Sequence, residues 1–315
     1  MRFRRFLIAS CALVGLSLHA TAQTPDSARR FFKEAQKKFA QGEFASASED
    51  FSRAIEISSR LDSPRRNEQV TLKSQNQLES DKSAENIRVI DPFTARAYAG
   101  RGVAKIRQGF LDDAMADFNA ALRIDPRLAI AYVDRGVIYR TRGDVNAAVA
   151  DFDRAILINP KLFEAYTNRA DVRLDRKDVD GALKDIESAL ALEPSSAETQ
   201  SLHGYALLEK NQPDSAIESF NRALHINPNM ASAYHGRGNA QFRRGAFDDA
   251  FADFSRAVEL NPDLAYAYMN RGLVLILRGD EAAAQKDFDR CLILKPEMKA
   301  DVTRRIEMAK EARKR

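Results

Sequence analysis

The chain has 315 residues, 44% hydrophobic and 30% charged, a balance that suits a folded, water-soluble chain and leaves little room for long disordered tracts. Its 49 Lys and Arg stand against 45 Asp and Glu; setting aside Arg2, Arg4 and Arg5 of a removable leader leaves 46 against 45, which is no nucleic-acid footprint. Cys11 lies in that leader and Cys291 stands alone, so the mature chain is expected to hold no intramolecular disulfide, thiolate metal cluster or dithiol centre, and with only His203, His225 and His235 beyond the leader no histidine-built metal or catalytic site is expected either.

Residues 1–22 read as an export signal. Arg2, Arg4 and Arg5 form a positive end, residues 6–18 an apolar run, and Ala20-Thr21-Ala22 a small-x-small site before Gln23. The run is shorter than the roughly 20 residues that span a bilayer. Cleavage after Ala22 would yield a bacterial periplasmic or secreted protein with no integral membrane segment. Two alternatives stay open: retention of 1–22 as an anchor, and lipidation at Cys11, since Ile8-Ala9-Ser10-Cys11 loosely matches a lipobox.

Over 28–61, Phe31, Ala35, Gly42, Ala47, Phe51 and Ala54 set out a helix-turn-helix pattern, although Ser59 stands where its closing proline belongs. Residues 62–94 are polar and lack that pattern. They read as an insertion or a degenerate repeat, because Arg88-Val89-Ile90-Asp91-Pro92 echoes Leu122-Arg123-Ile124-Asp125-Pro126. As a long loop in a compact protein, the segment is a candidate partner hook.

From Ala95 the chain falls into six ungapped rows of 34: 95–128, 129–162, 163–196, 197–230, 231–264 and 265–298. Slot four holds Tyr98, Tyr132, Tyr166, Gln200, Tyr234 and Tyr268, and slot eight holds Gly or Ala. Slot twenty is always Ala. Slot twenty-four is Phe118, Phe152, Ile186, Phe220, Phe254 and Phe288, and slot thirty-two is always Pro. The small slots let two helices approach closely, the aromatic slots fill the space beside them, and proline ends the second helix. Gly109, Gly143, Gly245 and Gly279, in slot fifteen, suit a left-handed turn after the first helix.

Slot seven reads Arg101, Arg135, Arg169, His203, Arg237 and Arg271. Slot twenty-three reads Asp117, Asp151, Asp185, Ser219, Asp253 and Asp287. The row that loses its arginine also loses its aspartate, which predicts a salt bridge across each of the other five hairpins. Residues 299–315, with Val302, Ile306 and Ala309 on one face, are expected to form a helix that caps the last hairpin.

A 34-residue repeat of an aromatic, then Gly, Ala, Phe and Pro at these spacings resembles the tetratricopeptide repeat family. The resemblance implies an all-α, right-handed α-solenoid of tandem helix-turn-helix repeats with a C-terminal capping helix. It also implies a non-catalytic scaffold or adaptor, here of the bacterial cell envelope, that binds a protein or peptide partner in a concave groove lined by slots two, five, nine and twelve of each first helix. A self-associating structural solenoid is the alternative. Neither a nucleic-acid partner nor a cofactor is expected.

Carrying those slots onto this sequence puts His235, Asn239, Phe242, Tyr266, Met269, Leu273 and Ile276 in an apolar C-terminal groove, the alternative being that the cap helix covers part of it. Family members that grip a peptide's C-terminal carboxylate use paired asparagines and basic residues on successive first helices. Asn239, Asn270 and Arg304 match those places, whereas His235 and Ala300 depart from them. Cys291 occupies a slot that is alanine in the other rows and is expected to be buried packing.

Overall fold

The computed structural model describes residues 26–62 and 92–314. Each stretch of the repeat becomes a pair of helices: α1 (Asp26–Ala40) with α2 (Phe44–Asp62), α3 (Pro92–Arg107) with α4 (Leu111–Ile124), and α5 (Ala129–Thr141) with α6 (Val145–Ile158). There follow α7 (Phe163–Asp175), α8 (Val179–Leu192), α9 (Ala197–Glu209) and α10 (Pro213–Ile226). The array continues with α11 (Ala231–Arg243), α12 (Phe247–Leu260), α13 (Ala265–Arg278) and α14 (Glu281–Leu294); a 3-10 turn at Pro296–Met298 then leads into α15 (Lys299–Lys314). The described residues contain no strand. They fall into two compact units, the first ending at Asn168 and the second beginning at Arg169, so that α7 straddles the division.

The proposed leader and almost all of 62–94 lie outside the described residues. One boundary moves: α3 begins at Pro92, so 92–94 belong to the first row's hairpin and not to the insertion. Proline at a helix start loses nothing, because its missing N–H would have had no partner there.

Helix ends follow from single slots. The second helices end one residue before each slot-thirty-one residue, whose backbone is extended: φ is −128° at Asp125, −134° at Asn159, −131° at Asn227 and −140° at Asn261. Proline at the next position disfavours the helical region for its predecessor. The slot-thirty-one side chain then turns the chain, as where Asn159 Oδ1 accepts from the Lys161 amide at 3.1 Å and Asn261 Oδ1 from that of Asp263 at 3.1 Å. After the first helices, slot fifteen is left-handed at Gly109, Gly143, Gly245 and Gly279. Lys177 (φ 64°) and Asn211 (φ 57°) take the same conformation in the two rows without glycine.

In five of the six rows the core of the hairpin is one aromatic ring against bare helix backbone; in row 163–196 Ile186 takes the ring's place, with Ala170 in the same core. Phe118, Phe152, Phe220, Phe254 and Phe288 are all buried. A Cβ added at Gly102, Gly136, Gly204, Gly238 or Gly272 would stand 2.6–2.9 Å from the ring of its own row's phenylalanine. Two slot-six glycines extend the device to the following hairpin: Gly100 presses on Phe51 and Gly236 on Phe220.

All five predicted ion pairs form, and with the same two-pronged geometry. In the last row, Arg271 Nε donates to Asp287 Oδ2 at 2.8 Å and Nη2 to Oδ1 at 2.7 Å. Arg101, Arg135, Arg169 and Arg237 hold Asp117, Asp151, Asp185 and Asp253 likewise. The aspartates are buried, the arginines partly so, and Tyr98, Tyr132, Tyr234 and Tyr268 each offer a ring face to the guanidinium of their own row at 5.3–5.6 Å. Slot eleven, unnoticed in the sequence, supplies a second cation where it can: Lys105 to Asp117 at 2.9 Å, Arg173 to Asp185 at 2.8 Å and, in the first hairpin, Lys38 to Asp50 at 2.5 Å.

Removing either partner strands the other in a poorly hydrated place. Arg271→Ala and Asp287→Ala are each expected to cost about 2 kcal/mol. The double variant should cost little more than either, leaving a coupling of about 1–2 kcal/mol in a thermodynamic cycle read by urea unfolding. Strictly additive losses would show that the pair contributes nothing as a pair.

Candidate functional site

The second unit carries most of the residues that the groove slots select. Phe242, Tyr266, Met269, Leu273 and Ile276 do not form an open apolar groove. Met269, Leu273 and Ile276 are 2%, 6% and 3% exposed and belong to one core with Met298, Val302 and Ala309, and Ile306 packs against it. The cap α15 lies on the apolar face of the last first-helix and removes it from solvent. This corrects the expectation of exposure: α13 belongs to the last hairpin of the array, and α15 packs on the face that a further hairpin would otherwise cover. Phe242 and Tyr266 are half-buried at the edge of the same core. Phe242 meets Phe247 edge-on at 5.4 Å, and Lys295 sits 4.7 Å from the Tyr266 ring centre.

What the structure does bring together on α11 and α13 is polar. Asn270 Nδ2 donates to Asn239 Oδ1 at 2.6 Å and lies 3.2 Å from His235 Nε2, and Asn239 Nδ2 lies 3.4 Å from the same imidazole nitrogen. His235, Asn239 and Asn270 are therefore one partly buried cluster, with the His235 ring 5.9 Å from that of Phe254 beneath it. Asn270 Nδ2 has both of its contacts inside the cluster and Asn239 Nδ2 shares the same imidazole nitrogen, so an incoming anionic or carbonyl oxygen would take the remaining Asn239 hydrogen and displace a contact to His235. Arg304 does not join it. That guanidinium is exposed and bonds Asp301 on its own helix, which Arg305 also holds at 2.8 Å. Nearby on α9, the Tyr205 hydroxyl donates to the Ser232 carbonyl at 2.6 Å, tying α9 to the start of α11.

The first unit contains a feature that the sequence reading passed over. Asp134, on α5, is completely buried and neither of its carboxylate oxygens has a hydrogen-bond partner. Burial pushes its carboxyl well above the usual carboxylate range, Glu164 raises it further, and Arg107 offsets this only in part. The sign of the pH dependence follows. A carboxyl raised in the fold stays protonated to higher pH than in the unfolded chain, so this residue costs stability as pH rises from about 4 toward the raised value. Asp134→Asn should therefore unfold at a higher temperature than the parent near neutrality. That advantage should shrink as pH falls into the ordinary carboxylate range. A gap that stays constant across pH would show that the carboxyl is ionised in the fold.

Cys291 is wholly buried and burial raises its thiol, as fits packing. No group of three or more His, Cys, Asp or Glu among the described residues could hold a metal ion, and no described helix is long and apolar enough to cross a membrane.

The tetratricopeptide repeat pattern matches in five overlapping stretches, 99–166, 133–198, 167–231, 201–265 and 235–298. The chain belongs to the tetratricopeptide repeat family. No curated protein sequence matches it. Among solved structures it is similar to a tetratricopeptide repeat protein from Parabacteroides merdae, at 18% identity and TM-score 0.60 over 90% of this chain and 98% of the other. It is also similar to pilF of Pseudomonas aeruginosa, at 19% identity and TM-score 0.57 over 66% and 97%. A third likeness is to a chain of the APC/C hetero-tetramer Cut9-Hcn1, at 14% identity and TM-score 0.63 over 88% and 55%. At these identities the likeness is one of fold. Tetratricopeptide arrays are in general non-catalytic scaffolds for protein–protein contact, and function within them resides in the residues that each array adds to the frame.

By that standard Asn239 stands out. Slot nine is Val103, Val137, Asp171, Tyr205, Asn239 and Leu273, and Asn239 takes no part in either the glycine–phenylalanine contacts or the arginine–aspartate pairs that build the hairpins.

Proposed function

We propose that this tetratricopeptide protein is an exported, non-catalytic adaptor of the bacterial envelope. It holds a segment of another protein on the first-helix face of its second unit, with Asn239, Asn270 and His235 as the polar contact. The observation that carries the reading is the 2.6 Å bond between Asn270 and Asn239 on adjacent first helices, with His235 within 3.4 Å of both. Two amides and an imidazole on the same first helices as half-buried Phe242 and Tyr266 match a chain terminus: a carboxylate displaces the contacts to His235 and takes those amide hydrogens, while the preceding side chain rests on the aromatic edge.

The test uses immobilised peptides ending in a free carboxylate and their amidated twins. Wild type should retain the free-acid set, and Asn239→Ala with Asn270→Ala should lose it by about tenfold or more in Kd. Equal binding of the amidated twins would refute the carboxylate reading. Peptide capture that ignores both substitutions would refute the site. Export is tested separately by the intact mass of protein recovered from the envelope fraction, which should begin at Gln23.

A further inference from the structure

Row four, residues 197–230, is the odd one of the array. It replaces the slot-four tyrosine with Gln200, the slot-seven arginine with His203 and the slot-twenty-three aspartate with Ser219, and all three changes fall within one hairpin. The polar replacements satisfy each other: Ser219 Oγ lies 3.1 Å from His203 Nδ1 and bonds the Ser215 carbonyl at 3.1 Å. The missing ring is not replaced. An open cleft of about 390 Å³ lies there, lined by Pro194, Gln200, Asn221, Arg222, His225 and Ile226. Gln200 is 8% exposed, and its Oε1 is shut from solvent without a hydrogen-bond donor.

The next row shows what such a place normally contains. There Tyr234 packs with Leu264 and Tyr268 against Ala257, Val258 and Ala267, and the Arg256 side chain hydrogen-bonds it. Shifted back by one period, Tyr234 corresponds to Gln200, Arg256 to Arg222 and Leu260 to Ile226. In row four the arginine that would meet a phenolic oxygen is present and exposed, with Glu218 on its own helix at 3.6 Å. Apolar walls are present too, with Ile226 40% exposed. The ring alone is absent, and Gln200, whose buried Oε1 has no hydrogen-bond donor, lies in the wall; a turn of its amide toward the cleft would bring that oxygen within reach of a hydroxyl.

We propose that this cleft is a socket for a tyrosine side chain supplied by a partner protein: the phenol ring fills the space that the repeat's own tyrosine fills elsewhere, its hydroxyl accepting from Arg222 and, once the Gln200 amide turns toward it, donating to Gln200. A surface cleft with an apolar floor and a few convergent polar groups is the usual form of an anchor pocket for an aromatic residue. The site is separate from the Asn239–Asn270 cluster, and its test does not depend on that cluster's role.

The probe is N-acetyl-L-tyrosinamide, titrated into the isotopically labelled full chain and followed by amide chemical shifts. Saturable shifts should centre on Gln200, Asn221, His225 and Ile226, and N-acetyl-L-leucinamide should bind about tenfold more weakly or worse. Gln200→Tyr fills the socket from within and should abolish those shifts while keeping the parent's helical circular dichroism. Arg222→Glu, an exposed change that leaves packing intact, should weaken them and serves as the deciding variant if Gln200→Tyr misfolds. Shifts that persist unchanged in the filled or reversed-charge variant, or that leucinamide reproduces at equal strength, overturn the proposal. So does a wild-type titration with no saturable shift.

Discussion

Replacing Phe220 with alanine is expected to destabilise the second unit by about 3–5 kcal/mol, the range for removing a buried aromatic ring from a tightly packed place. The site is at the upper end of that range for a local reason. The ring of Phe220 is clamped between two helices that both lack a side chain at the contact: a Cβ on Gly204 would come within 2.7 Å of it, and one on Gly236 closer still. Its edge also meets Tyr205 at 5.1 Å in a T-shaped pair. Helix backbones cannot collapse into the vacated volume without moving whole hairpins, so the cavity stays. The converse change makes the argument specific. Gly236→Ala raises helix propensity by up to about 1 kcal/mol, yet it should destabilise by about 1–3 kcal/mol because the new methyl has no room. Gly236→Ala combined with Phe220→Leu should recover part of that loss. Urea unfolding monitored by helical circular dichroism checks all three. A Gly236→Ala variant more stable than the parent would show that propensity, not ring clearance, governs this slot.

The second large effect is at the C-terminal end. Met269→Glu places a carboxylate at a position 2% exposed, in the core that α13 and α14 form with α15. Burying an unpaired charge there costs more than the cap can return, and removing one partner's worth of compensation from a buried charge commonly costs about 3–5 kcal/mol. The expected outcome is release of α15 with the hairpin beneath it still formed. Amide exchange should become fast across 299–314 while the α13/α14 hairpin beneath keeps its protection. The double change Met269→Glu, Leu273→Glu acts in the same way, because both side chains lie in that core. Retained protection of α15 in Met269→Glu would mean that the cap is not held by this core.

Most of the frame was legible because repetition makes it so. One row of Tyr, Gly, Ala, Phe and Pro would be weak, but six in phase fixed which faces pack and which residues end each helix. Even the five ion pairs were readable, through the single row in which both members change together. The groove was harder. Slots two, five, nine and twelve say where a side chain is rooted and not what lies over it, and whether α15 covers Met269, Leu273 and Ile276 depends on the path of the chain after Pro296. Asp134 was missed for a related reason: slot six holds Gly100, Asp134, Asn168, Leu202, Gly236 and Asn270, a set without the regularity on which the reading relied. Asn239 and Asn270 could be named from the sequence, and their mutual bond could not, since it joins residues 31 positions apart on successive first helices.

The guanidinium groups carry a further consequence. Besides holding the aspartate of its own hairpin, each of four slot-seven arginines points a third nitrogen at the slot-twenty-five side chain of the hairpin before it. Arg101 Nη1 donates to Ser52 at 3.0 Å, Arg135 to Asn119 at 2.8 Å, Arg237 to Asn221 at 2.6 Å and Arg271 to Ser255 at 3.5 Å. The link runs in one direction, from each hairpin back to its predecessor. Shortening the array from its C-terminal end leaves only a hydroxyl or amide facing water, whereas shortening it from the N-terminal end leaves an arginine nitrogen that has lost its acceptor. The two ends of the protein are therefore not equivalent as places to cut, splice or duplicate. A hairpin moved to a new position brings half of each junction and must find the other half in whatever comes before it.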